Sequence, residues 1–86
     1  MYSILNILYS NKAQSKLYAL TQNDIMEAME AEGERWSDRT IYNKIVDLLK
    51  NGYIEKGLRE SNANTYYITT QGIDWMKEVE GDSGNE

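Results

Sequence analysis

Between Trp36 and Thr69 the chain reads WSDRTIYNKIVDLLKNGYIEKGLRESNANTYYIT, and this stretch leaves little freedom in what can be built around it. A serine precedes a run whose apolar residues recur at helical spacing, and a glycine ends the run. Two short β-favouring segments follow, Tyr53–Arg59 and Thr65–Thr69, separated by the polar, turn-rich ESNAN. That order specifies a capped helix leading directly into a small hairpin. On the helix, Ile41, Ile45 and Leu48 make one apolar stripe, widened by Tyr42 and Leu49. The opposite side presents Arg39, Asn43 and Lys50, with Thr40 and Asp47 on a flank.

Helix starts share a common grammar. Thr21 caps a helix whose third residue is Asp24, a capping-box-like pair, with Leu20 and Ile25 as the flanking staple. Ser37 caps the next helix with Trp36 and Ile41 in those positions, and Thr69 the last with Ile68 and Ile73. Gly33 and Gly52 supply stops, since glycine past a helix end takes the left-handed conformation without a Cβ penalty. The link from Gly33 to Trp36 is short, so the helices before and after it must cross as a helix-turn-helix. Trp36 is expected to lie buried between them.

Upstream, Tyr2 to about Tyr9 reads as a first helix, with Ile4 and Leu8 one turn apart, and Leu17 to Leu20 as a short strand or extended link. Tyr53 and Tyr66 are expected at the edges of the core. One domain over 1–80 is expected, followed by a disordered acidic tail over 81–86.

The 86 residues suffice for one core and not for two. Absence of Cys and His excludes disulfides, thiolate chemistry and the usual zinc sites, so neither a metal nor a cofactor is expected. No apolar run reaches the length of a membrane span, and the N-terminus lacks the marks of a signal peptide, which suits a cytoplasmic protein. Acid–base catalysis would fall to carboxylates. Yet Glu27, Glu30, Glu32 and Glu34 are spaced as a solvated helix edge, and the glycines are too scattered for a phosphate loop. The chain is not expected to be an enzyme.

A net charge of −5 argues against nucleic acid until it is divided along the chain. Residues 1–34 carry Lys12 and Lys16 against Asp24, Glu27, Glu30, Glu32 and Glu34, a net −3. Residues 35–59 carry Arg35, Arg39, Lys44, Lys50, Lys56 and Arg59 against Asp38, Asp47 and Glu55, a net +3. Residues 60–86 carry Lys77 against Glu60, Asp74, Glu78, Glu80, Asp82 and Glu86, a net −5. The positive charge therefore falls on the second helix of the turn and the first strand after it, where phosphate contacts would need it. Arg39 can donate two hydrogen bonds to a guanine edge and Asn43 can pair twice with an adenine, whereas Lys44 and Lys50 suit phosphate. Lys56 and Arg59 lie beside the hairpin loop, and Asn62 and Asn64 within it. Asp38, in the first turn, favours the helix dipole and would repel phosphate.

The segments SDRTIYNKIVDLLKNGYIE and YYITTQG resemble the small winged-helix transcriptional regulators of bacteria and their phages, with the PadR-like and MarR-like groups as nearest comparison. The resemblance runs from about Ile4 to Val79 and rests on the serine-led helix, the glycine before the wing and the threonine-x-x-glycine after it. It implies that Arg39, Thr40, Asn43 and Lys44 face the DNA groove and that Lys56, Arg59 and Asn62 belong to the wing. The chain departs from the pattern in having no Arg or Lys between residues 60 and 64 and no long dimerisation or ligand-sensing domain. The expected fold is α+β and mainly helical: a winged helix-turn-helix with three to four helices and a two- to three-stranded antiparallel wing. The expected function is sequence-specific binding of double-stranded DNA as a transcriptional repressor. A homodimer is expected, with Met1–Tyr9 and Ile73–Val79 meeting across it. Two alternatives share these features: a winged helix used as a protein-interaction module, which the acidic ends and bare wing tip suit, and a DNA-partition or replication accessory protein.

Overall fold

Local chemistry sets the ends of the elements. The computed structural model describes residues 2–84, of which 81–84 are described by their backbone. It contains α1 (Tyr2–Ser10), β1 (Leu20–Thr21), α2 (Gln22–Ala31), α3 (Asp38–Lys50), β2 (Ile54–Lys56), β3 (Thr65–Ile68) and α4 (Thr70–Gly84). The Thr21 hydroxyl accepts from the Asp24 amide at 3.0 Å while the Asp24 carboxylate accepts from the Thr21 amide at 3.2 Å, a reciprocal capping box. Ser37 Oγ accepts from the Thr40 amide at 3.2 Å, and Thr69 Oγ1 from the Gly72 amide at 3.1 Å. All the expected caps are formed.

Both glycine stops work in the same way. Gly33 (φ 86°) donates to Glu30, and Glu34 donates back to Met29. Gly52 (φ 75°) donates to Leu49, and Tyr53 donates back to Leu48. Each is a paired closure of the last turn that satisfies carbonyls with no partner inside the helix. It also fixes the angle at which the chain leaves, from α2 into the turn and from α3 into β2.

The strands form an antiparallel sheet in the order β1-β3-β2, with Leu20 opposite Tyr66 and Ile54, Glu55 and Lys56 opposite Ile68, Tyr67 and Tyr66. Ile54, Tyr66 and Ile68 turn one face of the sheet into the core. β2 is shorter than expected. Beyond Lys56 the register slips, because residues 57–59 face 64–65 before Glu60 and Ala63 pair again, a bulge of one extra residue. The Thr65 hydroxyl donates to the Leu58 carbonyl that the slip would otherwise orphan. β1 is likewise confined to Leu20–Thr21, leaving Leu17 and Tyr18 exposed in the preceding turn.

The core joins α1 to every other layer. Ile4, Leu5, Ile7 and Leu8 of α1 pack with Ile25 and Met29 of α2, Ile41, Ile45 and Leu48 of α3, and Met76 of α4. Burying a side chain of this size contributes about 1.5–3 kcal/mol, so this cluster is the main favourable term. Tyr66 is buried and Tyr53 half-buried, stacked on Trp75 at 5.5 Å. Within one chain α1 and α4 lie against each other, and the Tyr2 hydroxyl donates to Glu80. The expected tail over 81–86 falls on the end of α4, helical to Gly84, and on residues 85–86, which lie outside the described residues, as does Met1. No helix among the described residues is long and apolar enough to cross a membrane.

Candidate nucleic-acid interface

The buried stripe of α3 decides what its other side can offer. Ile41, Ile45 and Leu48 are wholly buried. At 3.6 residues per turn Arg39, Asn43 and Lys50 then share the opposite face, and all are exposed. They span about 16 Å along the helix at 1.5 Å per residue. Asp38 in the first turn and Lys50 in the last suit the helix dipole. Asp38 is tied to α2, its carbonyl accepting from Gln22 Nε2 at 3.0 Å.

On one flank, Thr40 and Lys44 are half-buried. The Thr40 hydroxyl accepts from Ser37 Oγ at 2.9 Å and so belongs to the cap of α3. Lys44 Nζ sits 4.9 Å from the centroid of the Trp36 ring. On the other flank Tyr42 stands beside the root of the wing. Burial pushes the Tyr66 phenol above its usual pKa, the neighbouring Tyr42 phenol adds to the rise, and a hydrogen bond from Asn64 opposes it.

The wing gives a mixed result. Lys56 is exposed on β2 opposite Tyr66. Arg59 is exposed, but its Nη2 donates to the carbonyl of Asn62 at 2.6 Å. That carbonyl is presented because Ser61 (φ 49°) and Asn62 (φ 71°) both adopt left-handed backbone, closing the tip as a tight turn between Glu60 and Ala63. The side chain of Asn62 remains exposed. Behind the wing, Tyr67 donates to Glu55 at 3.0 Å, which holds its phenol above the usual pKa.

Trp36 was expected inside and is not, and Tyr42, expected to widen the apolar stripe, is also exposed. Tyr42 is 53% exposed and Trp36 39%. Helical spacing puts Tyr42 at the edge of the apolar stripe, where burial depends on a neighbouring element rather than on the helix itself. Trp36 shares a shallow hollow with Ile41, Met26 and Met29, but its Nε1 donates to Glu34 at 3.1 Å and this holds the indole at the surface. Trp36→Ala is accordingly expected to cost about 1–2 kcal/mol, well below the 3–5 of a fully buried tryptophan. A urea midpoint shifted by the larger amount would place the ring inside. A polar residue two positions before the tryptophan was the only sequence signal for its exposure.

This arrangement, a helix-turn-helix with an antiparallel hairpin packed beside the second helix, is the winged-helix fold. Solved structures of RosR share it. The RosR-S1 complex superposes with a TM-score of 0.75 at 24% sequence identity, over 95% of this chain and 68% of that one. RosR of H. salinarum grown from NaBr gives 0.68 at 22%, over 99% and 76%, and the RosR-S4 complex 0.69 at 22%, over 99% and 72%. No protein-family model matches the sequence, and no curated protein matches it.

Proposed function

We propose that this chain binds double-stranded DNA sequence-specifically, as a homodimeric transcriptional repressor, with α3 in the major groove and the β2–β3 wing on the adjoining backbone. One observation carries the reading. The face of α3 opposite the buried stripe presents Arg39 and Asn43, residues suited to base edges, and the +3 segment 35–59 surrounds it. Arg39 and Asn43 would read bases, and Lys44, Lys50 and Lys56 would contact phosphate. Thr40, tied to the cap, would contribute little. Arg59 would hold the wing tip in shape through its hydrogen bond to the Asn62 carbonyl, and the exposed Asn62 side chain would face the DNA backbone beside it. The PadR-like or MarR-like grouping, and a bacterial or phage origin, rest on the sequence resemblance.

Electrophoretic shift against the DNA flanking the chain's own gene, repeated across salt concentrations, tests this. Arg39→Ala should cost about 1–3 kcal/mol on the preferred site and relax the preference there. Lys56→Ala should weaken all sequences alike and flatten the salt slope by about one. Equal loss of specific and random DNA in Arg39→Ala would move Arg39 to the phosphate class.

The dimer would read half-sites one helical turn, about 34–36 Å, apart. Since Ile4, Leu5, Ile7 and Leu8 are consumed by the chain's own core, the terminal helices would offer mainly Tyr9, 40% exposed, and Val79, 36% exposed. Sedimentation equilibrium at micromolar concentration should show a species of twice 10.0 kDa, and a clean monomer would remove the preformed dimer. A protein-interaction role is the second reading. Leu17, Tyr18 and Leu58 are exposed together, where the Leu58 amide donates to the Lys16 carbonyl at 3.4 Å. Absence of DNA binding at low salt would favour it.

A further inference from the structure

Trp36 lies at the entrance to α3, 39% exposed, and its ring makes three kinds of contact. Lys44 Nζ stands over the ring at 4.9 Å, within range of the attraction between a cation and the negative face of an indole. The indole Nε1 donates to Glu34 Oε1 at 3.1 Å, and Glu34 Oε2 accepts from Ser3 Oγ of α1 at 3.3 Å. Met26, Met29 and Ile41 line the hollow beside the ring, which admits no water molecule. A continuous series of side chains thus runs from α1 through Glu34 and Trp36 to a lysine on the flank of α3.

A lysine stem is flexible, and fixing it on a phosphate costs rotamer entropy. Lys44 is half-buried rather than free, its ammonium already placed beside the exposed face of α3. The indole N–H is used by Glu34, so Trp36 has no donor to offer DNA directly. We propose that Trp36 is a positioning residue: oriented by Glu34 and Ser3, it holds Lys44 ready for a backbone phosphate. This role rests on the DNA-binding reading above and goes beyond it by assigning a function to Trp36, Glu34 and Ser3.

The test compares Trp36→Leu, which keeps apolar volume and removes the π face, with Trp36→Phe, which keeps a weaker one. Both variants should keep a near wild-type urea midpoint. Trp36→Leu should weaken DNA binding about two- to fivefold on every sequence, the range an exposed cation–π contact converts to. Trp36→Phe should recover part of the loss. In the Lys44→Ala background Trp36→Leu should cost nothing further, because the group it positions is gone. A loss that adds in full to that of Lys44→Ala would overturn the proposal, as would Trp36→Leu binding DNA as tightly as the wild type. A readout without DNA is available in Trp75→Phe, where Trp36 is the sole indole. There Lys44→Met should shift the emission maximum, and an unchanged spectrum would show that the cation does not sit on the ring. Wild-type protein that fails to bind DNA at low salt would remove the DNA reading and this role together. Intact binding in Trp36→Leu removes the role alone.

Discussion

Gly72→Ala is expected to destabilise the fold by about 3 kcal/mol or more, at the upper end of what overpacking costs. A Cβ at this position would lie 2.2 Å from the Tyr53 carbonyl oxygen and 2.9 Å from Ile68 Cγ1. The oxygen belongs to the backbone, so no rotamer change relieves the contact. The same carbonyl accepts from the Thr69 amide at 3.0 Å, and Thr69 Oγ1 donates to the Gly52 carbonyl at 2.6 Å. The start of α4 is therefore fastened to the junction of α3 and β2, and Gly72 is the residue that lets the backbones approach. Alanine normally gains up to about 1 kcal/mol over glycine in a helix, which the clash exceeds. A urea midpoint at or above wild type in Gly72→Ala, with Thr70→Ala as an exposed control, would show that α4 can shift freely. Because Tyr53 leads into β2, the same variant should loosen the wing against α3.

That junction also shows how much of the fold is legible in the residues. The threonine-x-x-glycine after the wing can be read from the chain as a helix start, since a cap depends only on neighbours three residues away. The reason for the glycine cannot, because it depends on a carbonyl far back in the sequence. The same division holds elsewhere. The caps at Thr21, Ser37 and Thr69 and the stops at Gly33 and Gly52 are local chemistry, and all form. The slip at residues 57–59 and the pairing of α1 with α4 inside one chain are set by long-range packing, and neither is marked in the residues concerned.

The candidate site divides likewise. Arg39, Asn43 and Lys50 share a face because helical period fixes them relative to Ile41, Ile45 and Leu48. Tyr42 and Trp36 lie at the margins of that stripe, where a neighbouring element decides between core and surface. The bond from Arg59 to the Asn62 carbonyl arises because two successive residues take left-handed backbone, which spacing does not encode.

Ile45→Ala should produce the second large effect, a loss of about 3–4 kcal/mol. Ile45 is wholly buried at the centre of the α3 stripe, within the cluster that includes α1 and α2. Truncation removes methylene and methyl groups worth roughly 0.8 kcal/mol each on transfer, and the vacancy they leave adds to this. The helices around the site are braced by capped ends and by the sheet, so they can close over it only in part. For a domain of this size each kcal/mol lowers the melting temperature by about 4–8 °C, so a fall of at least 12 °C is expected. Tyr42→Ala on the same helix is the control: it also exchanges a large side chain for alanine, but at a position 53% exposed. It should shift the melt by much less while altering DNA binding at the flank of α3 that meets the wing. Ile45→Ala, in contrast, should reduce specific and non-specific binding together near its lowered melting temperature, because the face carrying Arg39 and Asn43 exists only while α3 is seated. Equal melting shifts in the two variants would mean that α3 is not anchored by this stripe, and the assignment of its outer face to DNA would lose its structural basis.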